Sequence, residues 1–185
     1  AMTMTGGSGP DTFTSTTGAD TLEGGAGKDT LVPATGIDTV KGGDGNDTIK
    51  LAANDLTEKD TIDGGAGTDT IEYTTDEVHA DADFTLISNL EVITATADKN
   101  ITAVLGPLSA AAGLNSIVLA DTEAIDSITI NKDFTNDLSV TLVADGTANS
   151  GNYNKVVANA DYANTLSVTG KISDMDDGDG VAGEA

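Results

Sequence analysis

GGAGKDTLV at residues 24–32, PATGIDTVK at 33–41 and GGDGNDTIK at 42–50 are three consecutive copies of one nine-residue pattern. The pattern extends back through STTGADTLE from Ser15 to GGSGPDTFT from Gly6, and resumes after one longer unit as GGAGTDTIE from Gly64. Asp11, Asp20, Asp29, Asp38 and Asp47 therefore fall nine residues apart. Each is followed by Thr and then by one large apolar residue: Phe13, Leu22, Leu31, Val40 and Ile49. A tight turn, one carboxylate and a three-residue strand, repeated in register, predict stacked coils that each bury one narrow apolar row against the next.

The glycines refine this expectation. Turns with a full double glycine start at Gly6, Gly24 and Gly42, while the units from Ser15 and Pro33 keep only Gly18 and Gly36. If two nonapeptides make one coil, units eighteen residues apart stack on the same side. One edge is then glycine-rich and the other degenerate. The longer segment, Leu51 to Asp63, is expected to bulge on the degenerate edge and to return Gly64 to the glycine-rich edge.

The composition fits a solenoid and restricts the partners. The chain has 185 residues, a formal net charge of −23 and only 3% aromatic residues. Its eight basic residues are all lysines. It has no basic patch to displace phosphate counterions, so neither nucleic acid nor an anionic membrane is an expected partner. No apolar run approaches the ~18 residues of a membrane span, and no basic–apolar signal peptide opens the chain. Cysteine is absent, which excludes a disulfide framework and thiolate metal sites. Ala1-Met2 reads as a cloning remnant and the acidic end, DMDDGDGVAGEA, as a cut inside a longer polypeptide.

From about Thr74 to Ile172 the glycine turn disappears but a looser beat remains. An Asn or Asp precedes a short apolar stretch at Asn89, Asn100, Asn115, Asp126, Asp137, Asn154 and Asn164. β-Branched residues and alternation favour strands, and Asn and Asp suit the turns between them. The expected continuation is a β-solenoid with longer coils; a small antiparallel sandwich is the competing arrangement. The one helix candidate is PLSAAAG, Pro107 to Gly113. The overall expectation is an all-β chain: a parallel β-roll over 6–73, a Thr/Ala/Val-rich β-solenoid or sandwich over 74–172, and an acidic tail or linker over 173–185.

Aspartates in phase with glycine suit calcium better than catalysis. Calcium takes six to eight hard oxygen ligands at about 2.3–2.6 Å, and glycine turns can curl several carbonyls toward one point. Columns of carboxylates one coil apart, about 4.8 Å, repel one another without a cation. The pattern GGxGxD followed by Thr and a large apolar residue resembles the RTX nonapeptide family, whose repeats form a calcium-binding β-roll. The resemblance covers roughly the first seventy residues and implies a ligand set. One turn would supply its second and fourth carbonyls and its aspartate; the turn one coil later would supply its first and third carbonyls and its own aspartate.

Carried over to this chain, the first implied site combines Gly7, Gly9 and Asp11 with Gly24, Ala26 and Asp29. A second combines Gly25, Gly27 and Asp29 with Gly42, Asp44 and Asp47. A third combines Gly43, Gly45 and Asp47 with Gly64, Ala66 and Asp69, provided the bulge stays on the far edge. On the degenerate edge Thr16, Gly18 and Asp20 face Pro33, Thr35 and Asp38, a weaker or empty arrangement because Thr16 and Ala34 replace the second glycine. Three ions, +6, would take the formal charge from −23 to −17. In this family calcium binding drives folding after type I secretion.

Other constellations carry less. The lone His79, with Asp76, Glu77, Asp81 and Asp83, reads as a solvated acidic loop rather than a metal patch. No GxSxG elbow accompanies it. Asp174, Asp176, Asp177 and Asp179 miss a calcium-loop pattern by one residue, because Gly178 stands where the third acid belongs. The interrupted repeat and the ISNLEVIT segment after it are similar in style to bacterial surface-layer RTX proteins. The resemblance implies a non-enzymatic, calcium-binding structural module of a secreted surface-layer or adhesin-like protein at the cell surface. Its expected partners are calcium, like copies of itself or cell-surface polysaccharide. The alternatives are the calcium-binding appendage of a secreted lipase or protease, and a carbohydrate or adhesion module.

Overall fold

The computed structural model of the protein describes residues 1–52, 55–96, 99–119, 126–142 and 155–170. Among these, every strand pairing is parallel, which selects the solenoid over the antiparallel sandwich. Two nonapeptides make one coil. Thr3, Thr21 and Thr39 are register partners in one sheet, and Thr12, Thr30 and Thr48 in another.

The first sheet stacks Thr3–Thr5, Thr21–Ala26, Thr39–Asp44, Thr61–Ala66 and Ile87–Ser88. The second stacks Thr12–Thr14, Thr30–Val32, Thr48–Leu51, Thr70–Tyr73, Val92–Ala95, Ser116–Leu119, Leu138–Leu142 and Leu166–Gly170. A third sheet begins after Tyr73 with Glu77–His79 and continues through Ile101–Leu105, Ser127–Ile130 and Lys155–Ala158. The second sheet thus runs through both halves of the described chain, while the third takes over from the first as its companion.

The three-residue strand expected from the repeat holds on one side of the coil only. Thr12–Thr14 and Thr30–Val32 have three residues, but Thr21–Ala26, Thr39–Asp44 and Thr61–Ala66 have six. The extra residues are the glycine turn's own start: Gly25 pairs with Gly43, and Gly43 with Gly65. Without side chains these positions continue the ladder right to the corner. The long unit bulges where the glycine spacing requires. Thr61 pairs with Thr39 and Thr70 with Thr48, so the extra residues lie between Leu51 and Asp60, on the degenerate edge.

The Thr–apolar pair explains the core. In a strand, alternate residues face opposite sides, so the apolar residue turns inward between two half-exposed neighbours. Leu22, Val40 and Ile62 face Leu31, Ile49, Ile71 and Ile93, all buried. Met4 and Phe13, at the first coil, are only partly covered. Farther along, Ile101, Leu105, Ile117, Ile128, Ile130 and Val140 extend the same cluster.

Among the described residues the later coils also carry two short helical pieces, a 3-10 turn at Asp81–Phe84 and a helix at Pro107–Ala112. The Asp81 carboxylate accepts the amides of Gly106 (2.9 Å), Leu108 (3.0 Å) and Ser109 (2.8 Å), satisfying the helix's first donors. Gly113, at φ 109°, ends the helix. The Asn/Asp beat serves backbone groups on neighbouring segments: Asp126 accepts from the Ile101 amide at 2.6 Å, and Asp137 from the Thr165 amide at 2.8 Å. No helix among the described residues is long and apolar enough to cross a membrane. The acidic tail from 173 onward, and Asn154 of the beat, lie outside the described residues.

A buried residue in this row has neighbours on both adjacent coils, so a deletion leaves a cavity that cannot collapse. Ile71→Ala is expected to cost about 2–5 kcal/mol, read as a lower denaturant midpoint in saturating calcium. An unchanged midpoint would contradict the continuous-row packing.

Candidate metal sites

The aspartates of the glycine-rich edge form a hydrogen-bonded column. The amide of Asp11 donates to Asp29 Oδ1 at 2.7 Å, that of Asp29 to Asp47 Oδ1 at 2.8 Å, and that of Asp47 to Asp69 Oδ1 at 2.8 Å. Asp29, Asp47 and Asp69 are at most 1% exposed. Their second oxygens, Oδ2, have no hydrogen-bond partner. A buried ionised oxygen without a partner is costly, so each turn holds a charge that calls for a counterion.

The glycines leave room beside that oxygen. A Cβ on Gly6, Gly24 or Gly42 would stand within 2.8 Å of two atoms at once. One is Oδ2 of the same turn's aspartate, Asp11, Asp29 and Asp47 in turn, of which Asp11 Oδ2 also accepts the Gly7 amide at 2.9 Å. The other is the first carbonyl oxygen of the following turn: Gly24, Gly42 and Gly64. Carboxylate and carbonyl therefore converge on one point that only glycine leaves open.

The remaining carbonyls alternate as a parallel ladder demands. The Asp44 and Ala66 carbonyls face back and accept the amides of Gly27 and Gly45, both at 2.7 Å. The Gly25, Gly27, Gly43 and Gly45 carbonyls face forward, lying against Gly43, Gly45, Gly65 and Gly67. Gly7 faces forward too, accepting the Ala26 amide at 2.8 Å. The second- and fourth-position glycines of the inner turns have φ of 104–145°, which other residues resist.

Each gap thus gathers two carboxylates and forward and backward carbonyls, an all-oxygen set that suits calcium. Bound there, calcium supplies the positive charge that the paired carboxylates lack. Among the described residues no group of three or more His, Cys, Asp or Glu side chains gathers to hold a metal, so carbonyls must complete each set.

The degenerate edge has the same column with a different filling. The Asp20 amide donates to Asp38 Oδ1 and the Asp38 amide to Asp60 Oδ1, both at 2.7 Å. Asp20 and Asp38 again have unpartnered Oδ2 atoms. The Thr35 carbonyl faces back onto the Gly18 amide at 2.9 Å, and the Gly18 carbonyl forward against Gly36. At the first position, however, Ser15 replaces glycine, and its buried hydroxyl donates to the Pro33 carbonyl. A side-chain hydroxyl therefore occupies a lone pair that the equivalent glycine leaves free. Thr16 donates to the Met2 sulfur at the surface. Asp60 was missed as a member of this column, although its Asp-Thr-Ile sequence carries the signal. Its Oδ2 is spoken for by the Thr57 amide and hydroxyl.

The charges act on one another along both columns. Burial, and then the facing Asp47, Glu91 and Asp63 carboxylates, push the Asp69 carboxyl up to about 6, against the lowering effect of the Asp47 amide. Burial and Asp29 raise Asp47 as well. Burial, Asp60, Asp20 and Asp55 raise Asp38. At Asp20 burial is outweighed by the Met2 amide and the N-terminal charge, and its pKa is lowered.

His79 departs from the solvated loop expected of it. It is 4% exposed and stacks on Tyr73, ring centroids 4.4 Å apart, with Asp83 at 3.4 Å and Glu77 at 4.0 Å. The strand Glu77–His79 starts the third sheet, and alternation turns His79 inward while Val78 faces out. Burial lowers its pKa, with Asp83 and Glu77 acting in the opposite sense.

The raised Asp69 and Asp47 have a signed consequence. A carboxyl whose folded pKa exceeds its unfolded value binds a proton on folding, so it stabilises the cation-free fold at low pH and loses that effect as pH rises through about 6. Calcium must displace that proton. Calcium affinity, measured by titration calorimetry, is expected to rise between about pH 5 and about pH 7. Strand signal in chelator should move the opposite way. A flat affinity over this range would contradict the assignment.

Residues 5–40, 33–55 and 56–73 match a family model described as the RTX calcium-binding nonapeptide repeat, in 4 copies. No curated protein and no solved structure is similar enough to the chain to match. The matched segments span the turns whose carboxylates and carbonyls converge, and they end at Tyr73, where the third sheet is about to begin. Residues 5–73 of this chain are a block of RTX repeats, a calcium-binding β-roll.

Proposed function

We propose that the protein is a calcium-folded structural module of a secreted bacterial surface-layer or adhesin-like protein. The observation that carries the calcium-folded part is the column of buried aspartates with unpartnered Oδ2 atoms facing forward and backward carbonyls. Three ions take the good-edge gaps: Gly7, Gly9 and Asp11 with Gly24, Ala26 and Asp29; Gly25, Gly27 and Asp29 with Gly42, Asp44 and Asp47; Gly43, Gly45 and Asp47 with Gly64, Ala66 and Asp69. The far-edge set of Thr16, Gly18, Asp20, Pro33, Thr35 and Asp38 holds an ion more weakly, because Ser15 competes for the Pro33 carbonyl.

The roll of residues 6–73 is the calcium-dependent unit. Residues 74–172 extend it as a stalk or platform whose buried residues, from Ile101 to Val140, continue the roll's hydrophobic cluster. The cell-surface reading draws support from the low aromatic content, the Thr-rich parallel strands and the acidic surface, which suit an extracellular, calcium-rich setting. Calcium would also bridge neighbouring acidic copies during assembly. A calcium-binding appendage of a secreted enzyme is the second reading, and it rests on the same repeats.

Circular dichroism of chelator-treated protein, before and after millimolar calcium, tests the folding step. A gain of β signal with calcium, and little with the same concentration of magnesium, is expected. Equal strand content in chelator and calcium would overturn it. Calcium-dependent sheets in electron microscopy would favour the surface-layer reading over the appendage, and their absence with full calcium binding would disfavour it.

A further inference from the structure

Asp69 is the last aspartate of the repeat, but the geometry that defines its sites continues past it. A Cβ on Gly64 would stand within 2.8 Å of Asp69 Oδ2 and of the Asn89 carbonyl oxygen. This is the same convergence as over Gly6, Gly24 and Gly42, with Asn89 in the place of the next glycine. Ile87 and Ser88 pair with Ile62 and Asp63, which puts Asn89 opposite Gly64. The column continues as well: the Asp69 amide donates to Glu91 Oε2 at 2.8 Å, as the Asp47 amide does to Asp69.

The corner is built differently but reaches the same point. Val92 pairs with Thr70, so the turn from Asn89 to Glu91 is three residues shorter than the glycine turn before it. The extra methylene of glutamate makes up part of that difference. Asn89 adopts a left-handed φ of 52° and its side chain donates to Asp63 Oδ1 at 2.7 Å. The Ala66 carbonyl faces back, so by alternation along the strand the Gly65 carbonyl faces forward into this gap. Asp69 is wholly buried, and its Oδ2 is unpartnered.

We propose that Asp69, Glu91 and the carbonyls of Gly65 and Asn89 form a further calcium site that closes the column where the RTX repeat gives way to the three-sheet solenoid. Waters would complete a coordination of six to eight oxygens. The inference rests on the calcium-folded reading above. It gives the ISNLEVIT segment a role: it is the cap of the roll, with Glu91 standing in for the aspartate of a missing repeat.

Calorimetric calcium titration of the stripped full chain, wild type against Glu91→Gln, tests this. Glutamine keeps an oxygen for the Asp69 amide and loses only the charge. The expected result is one bound ion fewer per chain, with the calcium-induced β signal retained. Equal ion counts and affinities would overturn the cap site while leaving the calcium-folded roll standing. A wild-type chain that takes up no calcium would remove the roll reading and the cap site together. Should Glu91→Gln fail to fold, anomalous scattering from wild-type crystals grown in calcium decides. An ion within bonding distance of Asp69 and Glu91 supports the site, and none there overturns it.

Discussion

A buried carboxylate that spends one oxygen on the backbone and leaves the other bare is the constraint around which this structure is arranged. Asp29, Asp47 and Asp69 each accept the amide of the aspartate one coil earlier, and each keeps Oδ2 inside the turn. That hydrogen bond ties the stacking register, because it forms when each carboxylate lies over the amide one coil earlier. The bare oxygen is where a cation would act, because like charges stacked at strand spacing do not stay ionised and buried on their own. The stacking register and the proposed calcium sites thus draw on the two oxygens of the same side chain.

The apolar row alone is a weak source of stability in this half. Each coil contributes one residue per sheet, such as Val40 and Ile49, and the first coil's Met4 and Phe13 are only partly covered. Across the coils Lys41 and Glu23, and Lys50 and Glu72, meet on the outer faces at 3.0 and 2.8 Å, but such half-exposed pairs contribute little. The later coils differ. There Phe84, Leu90, Leu114 and Phe134 add bulk, and a short helix capped by Asp81 fills the side that the first sheet vacates. Dependence on a cation should therefore grade along the solenoid, strongest where side chains are smallest.

Much of this was legible in the chain. The spacing of nine fixed the aspartate columns, and the alternation of full and degenerate glycine turns gave both the eighteen-residue coil and the side of the bulge, expected over Leu51–Asp63 and ending in the structure before the strand that starts at Thr61. The Asn/Asp beat located most later strands, and PLSAAAG the helix. What escaped was set by tertiary position rather than by pattern. The first-sheet strands run into the glycines because a bare backbone can pair to the corner. Asp60 and Glu91 join the columns although their turns have other lengths, so no fixed period reveals them. His79 is buried because one residue of alternation separates it from exposed Val78, and an acidic neighbourhood gives no hint of that. The unit from Ser15 reads in sequence only as a loss of the double glycine; that the Ser15 hydroxyl takes the Pro33 carbonyl follows from the stacking.

The most direct test of calcium-coupled folding is residue-resolved amide hydrogen exchange in calcium and in chelator. The ladder amides of Asp11, Asp29 and Asp47 should be protected in calcium and exchange freely in chelator, while Ile117, Ile128 and Val140 keep more of their protection. Equal protection of the aspartate amides in both conditions would contradict the account, since the columns would then be holding their charge without a cation.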